Sequence, residues 1–275
     1  MRAKAIINYT LTGLVVLTAA TAAQAQIDYT GSALNYTANF DSLGTTGPTM
    51  PWANNSTLPG WYLHASSSSF GSSGTPTNLD VAAIGGESSD AAYNIGTNGV
   101  QPVTTRALGW VVSSATGTAY IGLQLQNTSG NAFLGDITLN YTIGQFSAKN
   151  TLSETVTTGY KLLTSTGSQL GSAGFTTLET IPNPNLGDSG GAIDGFAPGN
   201  FTTEQDTIDL SATPWNNDEY LWFQVTIPRA SSGNNELLAI EGMNVSIDAV
   251  PEPATPMLIG LGMLGLVVLR RRHSL

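Results

Sequence analysis

Ser189 lies in Gly187-Asp188-Ser189-Gly190-Gly191, and His64 and Asp136 precede it, so the chain holds the three residue types that make a serine hydroxyl a nucleophile. Asp188, Asp194, Asp206, Asp209, Asp218 and Glu219 fall in or beside polar stretches. Such carboxylates, with backbone carbonyl oxygens, are candidate Ca²⁺ ligands, with Asp188, Asp194, Asp206 and Asp209 the named set; their spacing is not that of an EF-hand. Paired carboxylates also serve glycoside hydrolysis, where a separation of ~5 Å or ~6.5–9.5 Å sets the stereochemical outcome. His64 is the only histidine outside the terminal segments, which excludes a multi-histidine zinc centre. The absence of cysteine removes thiol catalysis, thiolate metal sites and disulfides. Trp52, Trp61, Tyr62, Trp110, Trp215 and Trp222 are candidates for stacking on sugar rings. Trp52, in Pro51-Trp52-Ala53-Asn54-Asn55, and Trp215, in Pro214-Trp215-Asn216-Asn217, sit in turn-like contexts and are expected to be partly exposed.

The elements that must position these groups are strands. Ile121, Leu123 and Leu125 alternate with Gly122, Gln124 and Gln126, and Ile137, Leu139, Tyr141 and Ile143 with Thr138, Asn140 and Thr142. Leu221, Phe223, Val225 and Ile227 alternate in the same way with Tyr220, Trp222, Gln224 and Thr226, and 237–247 is a fourth strong segment. A period of two over this length predicts half-buried antiparallel strands. Residues 26–40 predict one or two edge strands, Gly47-Pro48 and Leu58-Pro59-Gly60 mark turns, and the Ser/Gly/Thr-rich stretch 66–78 reads as a loop. No segment between the termini carries a helical apolar stripe. The fold class expected is all-β, a single antiparallel β-sandwich of jelly-roll type over 26–249, followed by a short C-terminal transmembrane helix.

The termini explain how such a domain would travel. Arg2 and Lys4 precede an apolar stretch, and Ala23-Gln24-Ala25 is a small-x-small cleavage site, so residues 1–25 read as a secretory signal peptide. At the other end, Val250-Pro251-Glu252-Pro253 leads into the apolar run 254–269 and then Arg270-Arg271-Arg272. The two prolines forbid a continuous helix through the tetrapeptide. The run that follows reaches only about 24 Å as a helix, short of a ~30 Å hydrocarbon core, and the arginines fix its end on the cytoplasmic side. Together these three parts resemble the PEP-CTERM sorting signal of exported bacterial proteins. The resemblance implies residues 250–275 as the sorting segment, exosortase and the secretion machinery as partners, transient membrane anchoring, and a destination at the outer surface or in an exopolysaccharide matrix.

Charge narrows the partners further. Nineteen carboxylates face nine basic residues, for a net charge of −10, and only Arg106, Lys149, Lys161 and Arg229 lie between the terminal segments. Such a surface repels polyphosphate, so no nucleic-acid partner is expected.

A second resemblance runs through the body. Asn39-Phe40-Asp41-Ser42-Leu43, Leu58-Pro59-Gly60-Trp61-Tyr62, Arg106-Ala107-Leu108-Gly109, Gly122 to Gly130, Tyr141 to Phe146 and Leu238-Ala239-Ile240-Glu241 resemble, in order, blocks of extracellular bacterial lectin-like β-sandwich modules. Glu241-Gly242 stands where those modules lead us to expect an Asp-Asp pair. The run 187–191 is also similar to the nucleophile sequence of chymotrypsin-like proteases. However, His64 lies in Tyr-Leu-His-Ala-Ser rather than Ala-Ala-His-Cys, and Ala192 replaces the expected proline. A glycine-rich turn accounts for the run, and no residue is assigned a catalytic role. The function expected is a non-catalytic structural or binding module; the alternatives are a carbohydrate- or calcium-binding lectin-like module and a secreted hydrolase.

Overall fold

The computed structural model describes residues 26–44, 47–67, 74–83, 91–96, 105–112, 116–147, 155–165, 167, 169–182, 191–229 and 236–250. The signal-peptide residues, with Ala23 and Ala25, and the sorting segment beyond Val250, with Arg270, Arg271 and Arg272 and the expected transmembrane helix, lie outside them. Among the described residues fourteen strands follow in chain order: β1 (Ile27–Tyr29), β2 (Leu34–Ala38), β3 (Thr49–Pro51), β4 (Trp61–Ala65), β5 (Asn78–Ala83), β6 (Ala91–Gly96), β7 (Arg106–Val111), β8 (Ala119–Asn127), β9 (Asp136–Gln145), β10 (Thr155–Leu163), β11 (Thr176–Pro182), β12 (Phe201–Asp209), β13 (Tyr220–Ile227) and β14 (Leu237–Ile247).

Two sheets form a sandwich. From β7 onward the chain visits them as a jelly roll does: β7-β14-β9-β12 are neighbours in one sheet and β8-β13-β10-β11 in the other. The first six strands extend this unit. β4 and β1 share the free edge of β8, β2 pairs with β14 alongside β7, and β6, β5 and β3 continue outward from β7. The all-β sandwich of jelly-roll type is therefore present. Its pairing is not wholly antiparallel, because β1 runs parallel to β8 and β5 parallel to β6.

The alternation does what its period requires. Ile121, Leu123 and Leu125 of β8 meet Ile137, Leu139, Tyr141 and Ile143 of β9 and Leu221, Phe223, Val225 and Ile227 of β13 in one core between the sheets. On β14 the phase changes midway: Leu238 and Ile240 face the core, and so do Met243, Val245 and Ile247. A β-bulge between Ile240 and Gly242 absorbs the extra residue and turns Glu241 away from the core. Polar bridges join the two sheets: Trp61 Nε1 donates to the Tyr36 hydroxyl at 2.7 Å, and a second runs through Tyr141. The Tyr141 hydroxyl donates to Asp206 Oδ2 at 2.6 Å and lies 3.0 Å from Thr158 Oγ1 on the opposite sheet. Burial and the neighbouring Asp206 push the Tyr141 hydroxyl's pKa upward.

Candidate functional site

The expected sugar-stacking indoles are corrected by the structure. Trp52 is 4% exposed and Trp215 is 0% exposed, both within the main core. The polar residues of their turns receive the indole N–H groups, with Trp52 Nε1 donating to Asn54 Oδ1 at 2.8 Å and Trp215 Nε1 to the Glu219 carbonyl at 2.9 Å. Once that donor is satisfied, the ring can be buried whole. Trp215 also stacks on Tyr29, with ring centroids 5.8 Å apart.

The carboxylates named as Ca²⁺ ligands are not brought together either. Asp206 points inward to Tyr141, whereas Asp209, three residues along β12, faces outward and accepts from the Ser211 amide at 2.8 Å. Asp194 closes its own turn by accepting from the Phe196 amide at 3.2 Å. Asp188 lies outside the described residues, as does Ser189. Among the described residues, no three His, Cys, Asp or Glu side chains stand together as a metal site would need. His64 lies on the outer face of the β8 sheet, stacked on Tyr120 at 5.7 Å, while Asp136 opens β9 in the other sheet, so the base and its orienting carboxylate are not assembled.

A different surface gathers chemistry. On the outer face of the β8 sheet, Tyr62 of β4 and Tyr220 and Trp222 of β13 form a second apolar cluster. Tyr62 donates to Gln124 Oε1 at 2.8 Å, and its ring lies 4.7 Å from that of Trp222. Burial, with help from Tyr220, pushes the Tyr62 hydroxyl up to about 12. Residues 169–175 lie across this face. Leu170 rests on Gly122, where any Cβ would collide with it, and the Gly171 amide donates to Gln224 Oε1 at 2.8 Å. Lys161 Nζ ties the same segment down by donating to the Ala173 carbonyl at 2.6 Å. Trp222 Nε1 is buried without a hydrogen-bond partner. Tyr62 and Trp222 of this face were among the stacking candidates, but Tyr220 and Gln224 were not, although the solvent-side phase of β13 carries Tyr220, Trp222 and Gln224, too aromatic for a purely solvated face.

On the outer face of the other sheet, the bulge places Glu241 beside Gly144 and Phe146, with its Oε1 buried and unpartnered. Burial first and Asp194 second lift its carboxyl to about 8.

The third place is at the last described residues. The Tyr29 hydroxyl donates to the Asp248 carbonyl at 2.6 Å, and the Val250 amide donates to the Gly31 carbonyl at 2.9 Å. These bonds hold the last body residues against β1. Beside them is a groove of about 460 Å³ whose walls include Phe133, Leu134, Asp136, Asp248 and Val250.

No curated protein sequence matches the chain. Solved structures similar to it include a cyclase from Fischerella sp. TAU, at 17% identity over 80% of this chain and 100% of that one, with a TM-score of 0.40. The xylan-binding module CBM15 is similar at 7% identity over 74% and 97%, with a TM-score of 0.35. The K3 cleaved adhesin domain of Lys-gingipain from Porphyromonas gingivalis w83 is similar at 12% identity over 54% and 78%, with a TM-score of 0.32. At these scores none bears on ligand or activity. The family described as the PEP-CTERM protein-sorting motif matches residues 249–272, beginning at the last residues held by the fold. The chain carries a PEP-CTERM sorting motif that begins at the last described residues, and this motif implies secretion and exosortase processing.

Proposed function

We propose that the protein is a non-catalytic structural or binding module delivered to the outer surface or the exopolysaccharide matrix. Residues 1–25 direct export, 254–272 hold the chain in the membrane, and exosortase cuts at or near Pro251-Glu252-Pro253. The observation that carries this reading is the position of the sorting match, which starts at 249 as the sandwich ends. The test is the intact mass of the chain from the producer's membrane, surface and medium fractions. A mature species from near Gln26 to between Pro251 and Pro253 supports the reading. A species still ending at Leu275 in every fraction overturns it. Hydrolytic activity abolished by His64→Ala or Ser189→Ala would overturn the non-catalytic part.

Glycan binding is a second reading, favoured by the half-buried rings of Tyr120 and His64, stacked at the rim of the outer face of the β8 sheet. A ring left partly in water can stack on a sugar. Half-buried Tyr120, at the rim beside His64, is the residue to remove. Binding to the producer's exopolysaccharide that Tyr120→Ala abolishes, with unfolding unchanged, supports this reading; unchanged binding excludes this face.

A further inference from the structure

The groove beside Val250 lies where the sorting segment begins. Its floor is rigid: Phe133 exchanges backbone hydrogen bonds with Trp215 at 2.9 and 3.0 Å, and Tyr29 packs edge-on to Phe133 at 5.2 Å. Its lip is Leu134, which is 54% exposed and the one exposed large hydrophobic side chain among the described residues. Phe133 next to it is buried at 4%, so the pair turns one apolar residue inward to build the floor and leaves the other in water. Two exposed carboxylates, Asp136 and Asp248, stand on the rim.

We propose that this groove is the surface on which the folded domain docks against the membrane enzyme that cuts its sorting segment. Leu134 enters an apolar recess of that enzyme, and Asp136 and Asp248 face its basic side chains. The proposal rests on the sorting reading above, and chain length makes the argument. Fully extended chain spans at most ~3.6 Å per residue, so Pro251 to Pro253 lie within roughly 11 Å of Val250. Val250 is itself pinned to Gly31 and forms part of the groove wall. No spacer separates fold from motif, so an enzyme that grips Pro251-Glu252-Pro253 cannot avoid this wall. The patch is also small beside the roughly 800 Å² per partner of a stable complex. It suits a transient enzyme–substrate contact that adds to recognition of the tail.

The test follows loss of the tail from the full chain in its producer by pulse-chase and intact mass, for the wild type, Leu134→Asp, Asp136→Asn with Asp248→Asn, and a ten-residue Gly/Ser insertion after Val250. Motif-disrupting Glu252→Ala serves as control. Leu134 is exposed, so Leu134→Asp should leave the unfolding midpoint unchanged. The expected result is cutting slowed at least fivefold in Leu134→Asp, slowed less in the double Asn variant, and slowed in the insertion, which separates the two contacts. Cutting of Leu134→Asp and of the insertion at the wild-type rate, with Glu252→Ala uncut, overturns the docking surface and leaves the sorting reading intact. A wild type that never loses its tail overturns both. A change in vesicle binding or self-association of Leu134→Asp without a change in cutting rate also overturns the proposal, because it assigns the groove to lipid or to a second copy.

Discussion

At Arg106 a positive charge sits beyond the reach of water, fully buried, and burial lowers its pKa while nearby Asp41 opposes that shift. Asn94 does most of the compensation: its Oδ1 accepts from Arg106 Nε at 2.6 Å and its backbone carbonyl from Nη2 at 2.7 Å. Nη1 already has no partner, so Asn94→Ala, which removes the acceptor of Nε, leaves a second buried guanidinium nitrogen unpaired, and a loss of about 2–3 kcal/mol in urea unfolding is expected. Glu241 shows the opposite case, a carboxyl that stays protonated. Its folded value of about 8 stands above the ordinary 4.5, so between those values the folded chain binds the extra proton. Stability from this group is therefore full below pH 4.5 and lost as pH rises through 8. Allowing for its partial exposure, the loss is on the order of 2 kcal/mol. Glu241→Gln should flatten that part of the stability–pH curve; parallel curves for wild type and variant would refute the assignment.

Among elements, the edge shared by β1, β4 and β8 depends on a single turn. Gly60 holds φ at +77° with its backbone against the Gln124 carbonyl, and a Cβ there would lie 3.0 Å from that oxygen and strike Ile27. Gly60→Ala should cost about 1–3 kcal/mol, measured as a lower unfolding midpoint with the spectrum of the folded state retained. The elements also show what could be read before the fold was known. β8, β9, β13 and β14 were legible because one face of each packs into the core between the sheets and so writes a period of two in apolar residues, although β8 and β13 are buried on both faces. β12 was not, since its inward positions hold Thr202, Glu204 and Asp206 before Ile208. The parallel pairing of β1 with β8 was hidden too, because pairing without a hairpin leaves no turn residues to mark it. At the candidate sites, the Pro and Asn around Trp52 and Trp215 suggested exposure, whereas Asn54 and the Glu219 carbonyl accept the two indole N–H groups and the rings go inside. Glu241 was noticed only as a departure from a family pattern, because its burial comes from a bulge that alternation does not announce.

For the whole molecule, the last hydrogen bonds among the described residues tie Asp248 to Tyr29 and Val250 to Gly31. Truncation after Val250 keeps the Tyr29–Asp248 and Val250–Gly31 bonds and should leave the unfolding temperature of the exported domain unchanged. Truncation after Ile247 removes both, about 2 kcal/mol in total at ~1 kcal/mol each. For a domain of this size that is ~4–8 °C, readable in a thermal scan of the two forms. Equal melting temperatures would place the boundary of the folded unit earlier than Val250.

β14 is eleven residues long and bonded along both edges, to β9 on one side and to β7 and β2 on the other, and it is the strand that hands the chain to the tail. While the tail holds the membrane, a pull on the domain from flowing liquid or an adhering polymer passes lengthwise into this strand. Its flanking hydrogen bonds are then loaded together in shear rather than opened one at a time, so the tether enters the molecule through a strand held on both sides.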